Sequence, residues 1–229
     1  MLICPLCNST DNRRGLETQT RLVEMQNTGI ESYVYLVCNK CGLNFREDRL
    51  PSDYYRASYR KNLPTNCESV REGNLYNEQR RAIEIDKLLV LWEVVPASVL
   101  DVGSSTGELL RYMQQKYGCE VQGVEPSDAF RAYANEHDIK TVAKIEDGSW
   151  DLVTCAHVLE HQEQPLEFLA EVKQRIGRFL FIEVPFLIPN YSHALMFTFE
   201  TLERMLIKAG FRVLFKAVDQ RVRVLCAPG

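Results

Sequence analysis

A short apolar run at residues 97–103, ASVLDVG, passes into a turn bracketed by Gly103 and Gly107 and then into an amphipathic stretch from Glu108 to Tyr117. Strand, tight glycine turn and helix in succession form the opening unit of a nucleotide-binding α/β sheet. The glycines let backbone pass close to a ligand, and the helix N-terminus offers it free N–H groups and a positive dipole end. A second run, 120–124, closes on Glu125, 22 residues after Gly103. A carboxylate there can accept both hydroxyls of a ribose. A dinucleotide loop, Gly-x-Gly-x-x-Gly, is disfavoured, because Ser105 and Glu108 stand at its second and third glycine positions. The same turn matches the hydrolase elbow Gly-x-Ser-x-Gly with Ser105 as nucleophile. That fold needs several strands and an oxyanion loop upstream, where this chain has a cysteine-bearing segment and one helix.

Later motifs favour a third reading. VLDVGSSTG (99–107), VQGVEPS (121–127) and DLVTCAHVLEH (151–161) occur in the order seen in class I S-adenosylmethionine-dependent methyltransferases, which the chain resembles from about Val99 to Val222. FIEVP (181–185) and FETLERMLIKAGF (199–211) look like that family's late strand and its helix-then-Gly-Phe ending. The resemblance implies an α/β fold with a Rossmann-like seven-stranded sheet over residues 96–229, its last two strands antiparallel at Phe211–Leu214 and Val222–Cys226. It also implies that Asp101, Gly103, Ser104, Ser105 and Gly107 surround the methionine end of the cofactor, with Ser105 replacing the family's middle glycine. Glu125 would hold the ribose and Pro126 the adenine side, while Cys155, Ala156 and His157 would line the cleft beneath the sulfonium. Between Ile139 and Asp151 the candidates for an acidic contact to adenine are Glu146 and Asp147.

The eight cysteines divide into two groups. Cys4-x-x-Cys7 and Cys38-x-x-Cys41 are paired turns that can bring four thiolates to one tetrahedral Zn²⁺. Pro5, Asn8 and Gly42 suit the knuckle geometry, and SYVYLV (32–37) reads as a strand entering the second knuckle. We expect a zinc ribbon over residues 1–50 whose folding energy comes largely from the metal. Four cysteines leave no open coordination position, which makes the zinc structural. Two disulfides, or a redox Cys-x-x-Cys, are the alternatives; MLICPLCNST carries no basic-then-apolar leader and no thioredoxin-like βαβ pattern surrounds the pairs. Cys67, Cys119 and Cys226 read as ordinary buried thiols.

Residues 51–95 form a connector and a lid helix. The polar stretch 51–76 carries Tyr54, Tyr55 and Tyr59, which either cover a ligand cleft or pack between domains. Helical periodicity runs from Asn77 to Trp92 and stops at Pro96. Of four histidines, His137 sits in a polar run and reads as solvated. His193 lies in a loop beyond a strand end, where such sheets build their sites, and is the candidate general base. Zinc-ribbon methyltransferases of nucleotide-linked sugars, which the chain resembles in architecture, carry Tyr-His-Glu-His in this loop; here it reads Asn190-Tyr-Ser-His193. With tyrosine and glutamate absent from their places, oxygen is a better acceptor than carbon. His157, Glu160 and His161 fall at i, i+3 and i+4, and some related O-methyltransferases hold a divalent metal on a similar turn. Metal-free relatives share Leu-Glu-His, so the turn reads as a loop anchor.

Composition narrows the partners. The 229 residues are 45% hydrophobic and 25% charged, which suits globular folding, and the net charge of −4 weighs against a nucleic-acid-coating surface. No run is long and apolar enough to span a membrane. The expectation is a cytoplasmic enzyme that methylates an oxygen on a sugar or similar small polar acceptor. The alternatives are methylation of ribosomal or transfer RNA, and a non-catalytic protein whose ribbon docks a partner.

Overall fold

The computed structural model describes residues 2–24, 27–48, 67–190 and 192–229. Tyr54, Tyr55 and Tyr59 fall outside the described residues. At the N-terminus a long antiparallel hairpin, β1 (Asn12–Glu24) and β2 (Asn27–Cys38), leads into β3 (Asn44–Arg46). The two cysteine turns lie at one end of this sheet. Asn8 and Gly42 take φ of 60° and 81° and donate back to the carbonyls of Cys4 and Cys38, which closes each knuckle.

Helix α1 (Cys67–Leu91) precedes the larger unit, starting ten residues before the expected Asn77. Its first turns are held by ion pairs instead of an apolar stripe: Glu68–Arg71, Arg71–Glu108 and Arg80–Glu84. The helix stops at Leu91, and Glu93 turns the chain with φ 53° before Pro96 is reached. Arg81 anchors it to the sheet, donating through Nε and Nη2 to the fully buried Glu183 at 3.1 and 2.8 Å. Cys67 is half-buried at the N-terminus of α1, a correction to the expected buried thiol; Cys119 and Cys226 are buried.

Then follow β4 (Ser98–Val102), α2 (Glu108–Tyr117), β5 (Glu120–Val124), α3 (Asp128–Glu136), β6 (Thr141–Val142), β7 (Trp150–Ala156), a 3₁₀ turn at Leu159–His161, α4 (Pro165–Lys173), β8 (Ile176–Pro185), β9 (Leu195–Met196), α5 (Phe199–Lys208), β10 (Phe211–Val218) and β11 (Arg221–Pro228). The large sheet has the order β10-β11-β8-β7-β4-β5-β6. β6, β5, β4, β7 and β8 run parallel, and β11 lies antiparallel to both β8 and β10. This is the expected seven-stranded Rossmann-like sheet. β4 and β7 are central, and their near-continuous apolar runs follow from burial on both faces. The order reverses between β4 and β7, which opens a crevice at the carboxyl ends of the strands.

The strand that joins the two sheets has no counterpart in the sequence reading. β9, in the loop after β8, crosses to the N-terminal sheet and pairs antiparallel with β3 through Asn44–Met196 and Phe45–Leu195. Leu6, Leu43 and Phe45 share a hydrophobic cluster with Phe197, Phe199, Leu202 and Leu206. Full burial of each such side chain stabilises by roughly 1.5–3 kcal/mol. Arg204 donates to the Cys41 carbonyl at 3.0 Å, and Lys208 to the Leu6 carbonyl at 2.5 Å. The cysteine knuckles are therefore fastened to α5.

Candidate functional site

The crevice holds a cavity of about 680 Å³ whose walls come from α1, the ends of β4, β5 and β7, and the segments that follow them. Gly103 turns the chain with φ 83°, and a Cβ there would lie 2.5 Å from Val158 Cγ2. Left-handed backbone and lack of space both demand glycine. Gly107, also at φ 83°, caps α2 and packs on Ile139 behind the cavity wall. Ser105 adopts φ 48°, a left-handed value that costs a serine on the order of 1 kcal/mol. Its backbone N–H compensates by donating to Glu125 Oε2 at 3.0 Å.

Glu125 is 3% exposed. Its other oxygen accepts from the Ser127 N–H at 2.8 Å, so the carboxylate bridges the β4 and β5 loops while still lining the cavity. Burial pushes its pKa up, and the two backbone N–H bonds pull against that. Of the residues expected at the cofactor, Asp101, Gly103, Ser105, Glu125, Pro126, Ala156 and His157 line the cavity. Ser104, Gly107 and Cys155 do not: Ser104 faces Gly123, and Cys155 is fully buried within β7. Near Pro126 the wall is formed by Ala143, Lys144 and Ile145. Glu146 accepts from Gln122 and Asp147 pairs with Arg175; neither lines the cavity.

Asp101 is buried, and burial pushes its pKa up to about 7 against the bond from Thr154 Oγ1 at 2.5 Å. Between about pH 4 and 7 the folded chain keeps a proton on Asp101 that the unfolded chain has released. Stability therefore falls as pH rises through that window. Asp101→Asn can still accept from Thr154 and removes this contribution. The variant is expected to melt at least about 4 °C above wild type at pH 8 and level with it at pH 4. Thermal melts at the two pH values check this, and an equal difference at both would refute it.

His157 takes φ 55° and stands before the 3₁₀ turn, not on it. A shared helical face for His157, Glu160 and His161 does not form, and His161 anchors the loop with its Nδ1 2.8 Å from the Ser192 carbonyl. Instead His157 Nδ1 lies 3.2 Å from Glu160 Oε1 and its Nε2 3.2 Å from Glu183 Oε1. Burial opposes the imidazolium, but the two carboxylates carry its pKa to about 9. Burial likewise disfavours ionised Glu183, yet His157 and Arg81 hold it near about 2. His161 lines the cavity. His193 does not: it is 7% exposed and meets His161 edge-on with ring centroids 5.0 Å apart. Burial lowers its pKa. Tyr35 of β2 donates its hydroxyl to the carbonyls of His193 at 2.9 Å and Asn190 at 3.1 Å. His137 is exposed and stacks on Tyr133. Residues the sequence did not flag also line the cavity: Asn74, Asn77, Glu78 and Arg81 from α1, Gln162, and Arg221. Their side chains are polar and distant in sequence from the glycine loop, so no local motif marks them.

At the N-terminal knuckles, Cys4 Sγ lies 3.5 Å from Cys41 Sγ and Cys7 Sγ 3.5 Å from Cys38 Sγ. All four sulfurs fall within 4.8 Å of one another. A tetrahedron with Zn–S bonds of ~2.3 Å has S···S edges of about 3.8 Å, so the four thiols fit one zinc ion. All are free of disulfides.

A family model described as a methyltransferase domain matches residues 76–215. The chain belongs to this methyltransferase family. A methyltransferase is thus the enzyme class of the cavity just described. The sheet superposes on that of an S-adenosylmethionine-dependent methyltransferase from Clostridium acetobutylicum ATCC 824, with TM-score 0.60 and 12% identity over 72% of this chain and 100% of that one. The magnesium protoporphyrin IX methyltransferase of Synechocystis PCC 6803, solved with bound SAH, gives TM-score 0.58 and 16% identity over 77% of this chain and 94% of that one. The plantazolicin methyltransferase BpumL gives 0.61 and 12% over 77% and 93%. At these identities the likeness is one of fold. No curated protein sequence matches this methyltransferase. Among the described residues no helix is long and apolar enough to cross a membrane.

Proposed function

We propose that this methyltransferase uses S-adenosylmethionine to methylate an oxygen of a small polar acceptor, such as a sugar. The observation that carries this reading is one cavity lined both by Gly103 and Glu125 and by Arg81, His157, His161 and Arg221. The bridging carboxylate of Glu125 offers acceptors to the ribose hydroxyls, and the Gly103 turn lets backbone approach the methionine end. Asp101, poised near neutrality, faces the cationic part of the donor. When bound, S-adenosylmethionine supplies a methyl group on a sulfonium, open to in-line attack. The protein aligns the acceptor hydroxyl with that carbon and removes its proton at the His161–His193 end. His193, the candidate base, acts there behind His161, which alone of the two meets the cavity. In this reading the four cysteines hold a structural Zn²⁺, and Tyr35 carries the order of that sheet to the His193 loop.

The polar and charged side chains among the lining, Asn77, Glu78, Arg81 and Arg221, favour a hydrophilic acceptor, and the net charge of −4 weighs against RNA. The test is methyl transfer from labelled S-adenosylmethionine to nucleotide-linked sugars, with transfer RNA as the opposing arm. His193→Asn is expected to lower turnover at least about 100-fold while cofactor affinity holds. Near wild-type turnover by that variant would remove His193 from the mechanism, and methylation of the RNA alone would overturn the substrate class.

A further inference from the structure

Arg221 opens β11 at the carboxyl end of β8, where it pairs with Pro185, and it lines the cavity. β11 lies three strands from β4, about 14 Å across the sheet at the usual strand spacing. Arg221 therefore stands at the end of the cavity away from the Gly103 turn. Among the described residues four cationic groups crowd the buried Glu183: Arg80 at 3.7 Å, Arg81 at 2.8 Å, His157 at 3.2 Å and Arg221 at 3.9 Å. Three of them also have a carboxylate of their own, Arg80 with Glu84 and Arg81 with Glu78 at 2.6 Å, and His157 with Glu160 at 3.2 Å. Arg221 has none. Its Nη2 donates to Asn77 Oδ1 at 3.3 Å, which leaves Nη1 and the second N–H of Nη2 without a protein partner among the described residues. The same bond occupies the Asn77 oxygen and leaves the Asn77 NH₂ group free, and Asn77 also lines the cavity. A guanidinium edge and an amide NH₂ thus meet in the cavity wall with only donors to offer.

We propose that the methyl acceptor carries a carboxylate group, held by Arg221 and Asn77. The planar guanidinium edge presents two parallel N–H groups that match the two oxygens of a carboxylate. A single negative charge suits the place. A phosphate would bring nearly two against one uncommitted guanidinium, with the Glu183 carboxylate 3.9 Å behind it. The inference rests on the methyl-transfer reading and narrows its acceptor to a hydroxy acid, acidic sugars included. An ion pair draws charge from the carboxylate oxygens, so this group anchors the acceptor and a hydroxyl elsewhere on it takes the methyl. With the carboxylate fixed at the start of β11, the rest of the acceptor extends toward His157 and His161, which line the cavity after β7.

The test is binding of glucuronate, glucose 6-phosphate and glucose to the full chain, measured by calorimetry with and without S-adenosylhomocysteine. Glucuronate is expected to bind at least about 10-fold more tightly than either of the others. Arg221→Gln is expected to abolish that advantage while changing S-adenosylmethionine affinity by less than about 3-fold. Glucuronate binding no tighter than either comparison sugar overturns the proposal, as does a preference that Arg221→Gln leaves intact. A loss of S-adenosylmethionine affinity in that variant as large as its loss for glucuronate places Arg221 on the cofactor's own carboxylate and overturns it too. Should Arg221→Gln fail to fold, the wild-type order of the three sugars still decides, together with Asn77→Ala, expected to weaken glucuronate at least about 3-fold. A chain that prefers glucuronate but binds no S-adenosylmethionine sinks the methyl-transfer reading and leaves the carboxylate site standing. A chain that binds S-adenosylmethionine without that preference sinks this inference alone.

Discussion

Glu125→Ala is expected to raise the dissociation constant for S-adenosylmethionine at least about 100-fold. The carboxylate is buried and already takes the Ser105 and Ser127 N–H groups, one on each oxygen. Its remaining lone pairs face the cavity, where the two ribose hydroxyls would donate to them. Hydrogen bonds to a charged acceptor contribute roughly 1.5–3 kcal/mol each, and two amount to two or more powers of ten in affinity. Alanine also leaves both N–H groups unpaired and frees the left-handed Ser105. Glu125→Gln should fall between, since its NH₂ must oppose one of these donors. Calorimetric titration of the three proteins checks the order, and equal affinity across them would remove Glu125 from the cofactor site.

Cys38→Ser, or stripping of the proposed zinc, is expected to cut turnover at least about 10-fold while changing cofactor affinity by less than about 3-fold. Binding free energy of a structural zinc is on the order of 10 kcal/mol and is spent on folding the segment that holds it. Among the described residues, the buried side chains of the N-terminal sheet pack mainly with α5 and β9. Its loss would release β9 from β3 and the Tyr35 hydroxyl from the His193 carbonyl. Glu125 and Gly103 directly follow β5 and β4 of the other sheet, so binding should persist. Parallel turnover and calorimetry measurements separate the effects; unchanged turnover in zinc-free protein would show that the N-terminal sheet does not order the His193 loop.

The elements legible in the sequence were those fixed by local pattern. α2 and α5 carry apolar faces at helical spacing, and α2 begins at a glycine cap. β4, β5 and the closing pair β10–β11 are short apolar runs between turn residues. The start of α1 was hidden because charge pairs stabilise it: Arg71 with Glu68 and with Glu108 of α2, and Arg81 with Glu78 and with Glu183 of β8. β9 is two residues long and exists by pairing with β3, a tertiary event with no local signal. Spacing placed His157 with Glu160 and His161, but helical arithmetic fails where His157 turns left-handed. The wall built by α1 and Arg221 was illegible for the same reason as β9: polar residues carry no period, and only the fold brings them to the glycine loop.

The central claim is that this chain binds S-adenosylmethionine in the crevice between Gly103 and Glu125. Titration calorimetry of the wild-type chain with S-adenosylmethionine tests it most directly. One site per chain is predicted, with a dissociation constant on the order of 1–100 μM, displaced by S-adenosylhomocysteine and weakened by Glu125→Ala. A folded wild-type chain that releases no heat of binding at about 1 mM cofactor would contradict it.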